Sequence, residues 1–290
     1  MRKILALLAV AAAAVLATPA VTASADIAQP FGSVPVPAGP APNWLIADLD
    51  SGQILAEQNG YAATPPASTI KVLLALVVLD EVNLDDTVIA SPADTAVECN
   101  CVGIKPGHTY TARQLLEGLL LVSGNDAANA LADMLGGPQA AVAKMNAKAG
   151  AVGATATRAS TPSGLDGPGG PGATTPHDLA AIFRAAMANP VFAGITAQPS
   201  AMFPTDAGER PIVNMNELLD RYPGAIGGKT GFTDAARKTY VGAAAHDGRR
   251  LVVAMMYGLI HEGGPTYWDQ AGALLDWGFA QNPQAGVGSL

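Results

Sequence analysis

The chain has 290 residues, 49% of them hydrophobic, enough for one large domain or two small ones with a substantial core. Acidic residues outnumber basic ones 24 to 16, and the formal charge is −8. Such a balance argues against a nucleic-acid partner, because phosphate binding calls for a basic surface.

Arg2 and Lys3 precede an unbroken apolar run over residues 4–17, and Ala23-Ser24-Ala25 follows as a small-x-small cleavage site. This is the pattern of a secretory signal peptide, so residues 1–25 are read as one and the mature start is placed near Asp26. The competing reading is an uncleaved anchor, but the run is short for a transmembrane span. No other apolar segment reaches spanning length, so an exported protein without a stable membrane anchor is expected, in the periplasm, cell wall or extracellular space. Losing Arg2 and Lys3 takes the formal charge from −8 to −10. Residues 26–42 carry Pro30, Pro35, Pro37, Pro40 and Pro42, a density that favours extended, unpacked chain and suggests a linker. The folded domain is expected over residues 43–282, with a tail at 283–290.

Within that domain, two apolar runs around Asp50-Ser51-Gly52 predict a hairpin. The stretch "PPASTIKVLLALVVLD" (65–80) predicts a helix over residues 68–79, apolar on every side and therefore buried. Periodicity predicts further helices over 111–122, with Thr109 or Thr111 as cap, over 126–137, stopped by Gly136 and Gly137, over 144–150 and over 176–189. Residues 160–176, rich in Gly, Pro and Thr, read as a loop. Two strand-like runs flank His246-Asp247-Gly248, a strong hairpin signal. The final stretch, 265–280, reads as an amphipathic helix with Trp268, Leu275 and Trp277 as core positions. Strands near both ends and helices between them imply an α/β fold: one antiparallel sheet built from both chain ends, covered by helices, with a mostly helical inserted region.

Lys71 is out of place in this pattern. A buried ammonium is costly, and a cation in the first turn opposes the helix dipole. Ser68 stands three residues before it, on the same helix face. Capping accounts for the serine, but a capping box would want Glu or Gln where Lys71 stands. The alternative is a serine nucleophile with a lysine base. A hydroxyl needs a partner to take its proton, and burial makes a lysine able to do so by lowering its pKa.

Two more stretches are consistent with that chemistry. "LVSGNDAAN" places Ser123-Gly124-Asn125 between two helices, where an ordinary loop would also put such residues. "GGKTGFTD" holds Lys229-Thr230-Gly231; a phosphate-binding loop fails there because Pro223 stands where its first glycine is required. Cys99 and Cys101 could form a disulfide in an exported protein or, alternatively, bind metal, although no nearby histidine completes a zinc set. The four histidines are scattered, and His261-Glu262 does not continue into a metalloprotease motif.

Each piece is common alone. The ordered set Ser68-x-x-Lys71, Ser123-x-Asn125 and Lys229-Thr230-Gly231 resembles the penicillin-recognising serine enzymes, over roughly residues 43–280. Ser-Gly-Asn in second place, "YPGAIGGKTGFTDAA" and "TPSGLDGPGG" are similar to the low-molecular-mass D-alanyl-D-alanine carboxypeptidases. Class A β-lactamases carry Ser-Asp-Asn and a deacylating glutamate well before Lys-Thr-Gly; "NELLD" (216–220) mimics that loop but lies too close, so Glu217 is read as a surface charge. A catalytically silent wall-binding relative is the third possibility.

The resemblance implies a β-lactamase/transpeptidase-like fold, peptidoglycan stem peptides as substrate, β-lactam antibiotics as covalent inhibitors, and no cofactor or metal. It implies Ser68, Lys71 and Ser123 as catalytic residues, with Asn125, Lys229, Thr230, Gly231, Phe232 and Thr233 binding substrate. Two departures stand out. Arg237 replaces a glycine common in relatives, and residues 258–260 offer no arginine for the terminal carboxylate, leaving Lys229, Thr230 and Thr233 for that task.

Overall fold

The computed structural model describes residues 27–167, 169–259 and 263–290. The expected leader (1–25) and His261-Glu262 lie outside them. The chain opens with the hairpin β1 (Asn43–Asp48) and β2 (Gln53–Gln58), followed by a 3-10 turn (Ala67–Ile70) that runs into α1 (Lys71–Glu81). The middle holds β3 (Thr87–Ile89), α2 (Pro92–Thr95), β4 (Thr109–Thr111), α3 (Ala112–Leu121), α4 (Asn125–Met134), α5 (Pro138–Ala151), α6 (Pro176–Met187) and α7 (Pro190–Thr196). A small hairpin, β5 (Ser200–Thr205) and β6 (Gly208–Val213), precedes α8 (Leu218–Arg221). The last part contains β7 (Ala225–Thr233), β8 (Arg237–His246), β9 (Arg249–Gly258), α9 (Tyr267–Ala280) and β10 (Gly288–Ser289).

One six-stranded antiparallel sheet has the order β10-β2-β1-β9-β8-β7, so strands from both chain ends meet where β1 pairs with β9. Both of its faces are covered. Along β9, Val252, Ala254 and Met256 face the helical layer, whereas Leu251, Val253 and Met255 face α9. That alternation is the two-residue period of a strand, here with apolar residues at every position. Helix α1 is the centre of the helical layer, and its residues Lys71 to Val78 are all buried. Its all-round apolar surface packs against α3, α4, α5 and α6, which explains the absence of a polar stripe. Leu274, Leu275 and Trp277 of α9 fill the opposite face with Trp44 and Ile46.

The structure differs from the sequence reading at both ends of the body. Residues 27–42 are not an unpacked linker. Ala28 bridges to Glu57, Val36 and Ala41 are buried, and Gln270 exchanges hydrogen bonds with the Ala41 backbone at 2.7 and 3.0 Å. Trp277 Nε1 also donates to the Val34 carbonyl at 2.9 Å. Extended proline-rich chain keeps its carbonyls free, so it can serve neighbouring donors while its apolar residues pack. Nor is 283–290 a loose tail. Residues 288–289 pair with β2, and Val287 N–H donates to the Ile54 carbonyl at 2.8 Å, which satisfies an otherwise open sheet edge. The helix expected over 144–150 starts earlier, at Pro138, whose missing N–H suits the first helical position.

Candidate active site

The 3-10 turn, the α3–α4 junction, the loop before α6 and strand β7 converge on one cleft. Ala67 has φ +48° immediately before Ser68, which lines the cleft, and Lys71 lies buried behind it. Thr111 caps α3 with a capping box, α3 ends at Leu121, and Ser123 takes φ +60° before α4 begins at Asn125. Two non-glycine residues in the left-handed region cost about 1–2 kcal/mol each. The packed elements around them hold that geometry.

Lys71 is wholly buried, and its Nζ lies 2.7 Å from each of Ser68 Oγ, Asn125 Oδ1 and the Ser163 carbonyl. No carboxylate pairs with it among the described residues. Burial, and then the charge of Lys229, push its pKa well below the ordinary 10.5, with Asp126 opposing. A neutral amine has two N–H groups and one lone pair. The carbonyl oxygens of Asn125 and Ser163 take the two N–H groups, which leaves the lone pair for the Ser68 hydroxyl. The arrangement thus suits a base better than a structural cation.

Lys229 on β7 is the second buried cation. It donates to Ser123 Oγ at 2.8 Å and to the Thr230 carbonyl at 2.7 Å, and burial lowers its pKa to about 7. Gly231 lets β7 approach the helix start: a Cβ there would stand 2.9 Å from the Ser68 nitrogen and 2.4 Å from Thr239 Oγ1. Gly164 does the same for the opposite wall. Its φ is +85°, and a Cβ would stand 2.0 Å from the Ala67 carbonyl oxygen, so only glycine brings Ser163 over Lys71.

The cleft measures about 360 Å³, in the range of small-ligand pockets, and Ser68, Ser123, Asn125, Thr230, Gly231 and Phe232 line it. Thr233 does not. Its Oγ1 accepts the Ala236 N–H at 3.0 Å, so it shapes the β7–β8 turn. Glu217 immediately precedes α8, pairs with Arg221 at 2.6 Å and also reaches the cleft rim, which a purely surface charge would not.

Several residues at the site escaped the sequence reading. Ser163 acts through its carbonyl, which no side-chain pattern reveals, although "TPSGLDGPGG" marks its position. Lys238 lines the cleft with its Nζ 5.3 Å from the Phe232 ring centroid. Asp126 is buried, and its carboxylate accepts the N–H groups of Val102, Gly103 and Ile104 at 2.9, 2.7 and 3.0 Å. Cys99 and Cys101, by contrast, are joined as the disulfide that the sequence reading offered as an alternative to metal binding, on the loop beside Asn125.

The sequence profile of the D-alanyl-D-alanine carboxypeptidases matches residues 32–258. The chain belongs to that family. It is 74% identical over 268 residues to D-alanyl-D-alanine carboxypeptidase DacB2 of Mycobacterium tuberculosis, covering 92% of each chain. It is 31% identical to D-alanyl-D-alanine carboxypeptidase DacA of Escherichia coli, over 84% of this chain and 62% of that one. Among solved structures, a D-alanyl-D-alanine carboxypeptidase from Mycobacterium tuberculosis superposes with a TM-score of 0.90 at 74% identity, covering 91% of this chain and all of that one. A Streptomyces DD-transpeptidase superposes at 0.78 and 29% identity, over 86% of this chain and all of that one. Family and fold therefore agree with the resemblance carried by the three motifs.

Proposed function

We propose that this chain is a serine-type D-alanyl-D-alanine carboxypeptidase that removes the terminal D-alanine from peptidoglycan stem peptides through an acyl-enzyme on Ser68. The observation that carries this reading is the buried Lys71 amine, 2.7 Å from Ser68 Oγ and without a counter-ion among the described residues. Lys71 takes the Ser68 proton as the oxygen attacks the carbonyl of the penultimate D-alanine. The backbone N–H groups of Ser68 and Phe232 receive the developing oxyanion. Ser123, held by Lys229, relays that proton from Lys71 to the leaving amine, which returns Lys71 to its neutral form. The C–N bond then breaks, D-alanine departs, and water hydrolyses the ester with Lys71 again as base. Asn125 fixes Lys71 and faces the substrate. Lys229 and Thr230, together with Lys238, supply the positive and donor groups for the terminal carboxylate. The leader at 1–25 directs export, so the reaction serves cell-wall biogenesis and shape from outside the membrane.

A β-lactam presents a similar carbonyl and acylates the same serine, but its leaving amine stays tethered and obstructs water. Glu217 makes no hydrogen bond to Ser68 or Lys71 among the described residues, so the β-lactamase reading gains no deacylating base from it. The test is to mix the mature protein with penicillin and follow intact mass, and with a D-Ala-D-Ala pentapeptide and follow free D-alanine. A single adduct lasting minutes, D-alanine release, and loss of both in Ser68→Ala are expected. Rapid return to the free mass with repeated drug consumption would identify a β-lactamase, and turnover by Ser68→Ala would remove Ser68 as nucleophile.

A further inference from the structure

The loop that carries the disulfide is bonded to the very residue that orients the proposed base. Asn125 Nδ2 donates to the Glu98 carbonyl at 2.7 Å, and the Asn125 backbone N–H donates to the Asn100 carbonyl at 2.7 Å. These two carbonyls flank Cys99, and the disulfide spans Asn100 to reach Cys101. The amide of Asn125 is thus held on one side by the loop and points its oxygen at Lys71 on the other.

The two ends of the loop are pinned independently of the cysteines. On the far side, Asp126 accepts three consecutive N–H groups from residues 102–104, and Arg210 donates to the Val102 carbonyl at 2.5 Å. On the near side, Asp94 closes a capping box with Ser91, and Asn129 donates to the Asp94 carbonyl at 3.2 Å. Between these anchors, residues 95–101 have the disulfide as their only covalent restraint besides the backbone. Cys99 is exposed and lines the cleft, so a small thiol can reach it.

We propose that the Cys99–Cys101 disulfide is a positioning element of the active site, and that its reduction by a dithiol slows acylation of Ser68 without unfolding the protein. The proposal rests on the reading of Ser68 and Lys71 given above. In the reaction, one protein S–S bond breaks and two S–H groups form, while the reductant's two thiols become a disulfide. Two electrons and two protons pass to the protein. The arch over residues 95–101 then loosens, the carbonyls of Glu98 and Asn100 lose their fixed spacing, and Asn125 no longer holds Lys71 in one place. Misplacement of a reacting group by about 1 Å costs up to about 10²-fold in rate, so a fall of about tenfold or more is expected. The fold survives because the Asp94 and Asp126 anchors stay bonded and the ring closed by the disulfide is short, so little chain entropy depends on it.

The experiment measures the rate of penicillin acylation at Ser68 by intact mass in oxidised protein, in protein reduced with a dithiol until two thiols titrate, and in a Cys99→Ser/Cys101→Ser variant. Reduced protein and variant should both be acylated about tenfold or more slowly with unchanged circular dichroism. Reoxidation should restore the former, and the dithiol should not affect the latter. A loss that acts through Asn125 must also disappear in an Asn125→Ala background, where reduction should change the rate no further. Equal acylation in the oxidised and reduced forms and in the variant would overturn the proposal alone. So would an undiminished redox effect in Asn125→Ala. Failure of the oxidised protein to form any adduct at Ser68 would instead overturn the reading of the site on which the proposal stands.

Discussion

The two walls of the cleft each contribute one buried lysine, and the lysines differ in what surrounds them. Lys71 comes from the helical side, at the start of α1, with three oxygen partners from three separate chain segments. Lys229 comes from the sheet side, in the middle of β7, with one hydroxyl and one neighbouring carbonyl. Burial lowers both pKa values, to about 7 for Lys229, while Lys71 is lowered further by the charge of Lys229 itself. Two like charges in one dry site repel, so on the proposed reading Lys71 is the amine that stays neutral, while Lys229 holds its proton up to about pH 7. Equal burial therefore does not imply equal chemistry. The proposed assignment of Lys71 as base rests on the partners, because among the described residues Lys71, and not Lys229, is hydrogen-bonded to Ser68.

The strongest break in this comparison is Lys71→Arg. Arginine restores a cation of similar reach but cannot be deprotonated in a protein. Acylation by penicillin is expected to fall by about 10²- to 10⁴-fold, the usual contribution of a positioned base. Stopped-flow or quenched mass measurements check it, and a near-normal rate would assign Lys71 a merely electrostatic part.

Lys229→Met removes the other cation while keeping the length of the side chain. The lost charge and the freed Ser123 hydroxyl should lower acylation by about 10²-fold. The same variant sharpens the comparison through stability. In the folded protein the Lys229 pKa is about 7, against 10.5 for an unperturbed lysine. Between those values the unfolded chain holds the proton and the folded chain does not, so unfolding takes up protons and stability rises with pH. Chemical denaturation of the wild type should show that rise from about pH 7 to 10.5; the lowered pKa of Lys71 adds a rise of the same sign, so Lys229→Met should lessen the slope without abolishing it. A wild-type stability that is level or falling across this window would mean that Lys229 keeps an ordinary pKa.

Lys238 tests whether the sheet side also reads the substrate. It lines the cleft outside the hydrogen-bonded centre, beside Phe232. Lys238→Ala should raise KM for the pentapeptide about tenfold with kcat nearly unchanged, as expected when one charge-assisted contact to the terminal carboxylate is lost. An unchanged KM would leave Thr230 and Lys229 as the groups for that carboxylate.

The helical side of the site was far more legible in the sequence than the sheet side. Ser68 and Lys71 share a helix face, so their spacing alone makes them neighbours, and a charged residue in an apolar helix draws notice. Thr111, Gly136 and the hairpins around Gly52 and Gly248 were readable because caps and tight turns depend on local residue chemistry. Lys229 and Thr230 became meaningful only through the resemblance, since nothing local says which strand will lie against α1. Backbone contributors left no side-chain pattern, and only the segment around Ser163 was marked, through the resemblance. The Ser163 carbonyl and the carbonyls of Glu98 and Asn100 are set by tertiary packing, and any residue could present them. The same limit explains the two ends of the domain. Proline density and a short tail describe chain that lacks its own periodic structure, but they do not say whether a groove or an open sheet edge elsewhere will accept it.

The smallest expected effect concerns Arg237, the first residue of β8, which pairs with Thr233 at the end of β7. It adopts φ +57°, on the β7–β8 turn, and is exposed. Glycine adopts this conformation without strain, which agrees with the glycine that the family resemblance leads one to expect there. A Cβ in the left-handed region costs about 1–2 kcal/mol, whereas glycine loses about 0.5–1 kcal/mol through the flexibility it adds to the unfolded chain. The net gain of Arg237→Gly should be about 0.5–1 kcal/mol, or a rise of about 2–4 °C in Tm at the upper end. Arg237→Ala separates backbone from side chain, because it removes the guanidinium yet keeps the strain, so its Tm should stay near the wild-type value. Acylation should be unchanged in both variants, since Arg237 does not line the cleft. A slower rate in both would instead place the arginine side chain among the groups that meet the substrate, and the sheet wall would then extend one turn further than the geometry of Lys229, Thr230 and Lys238 indicates.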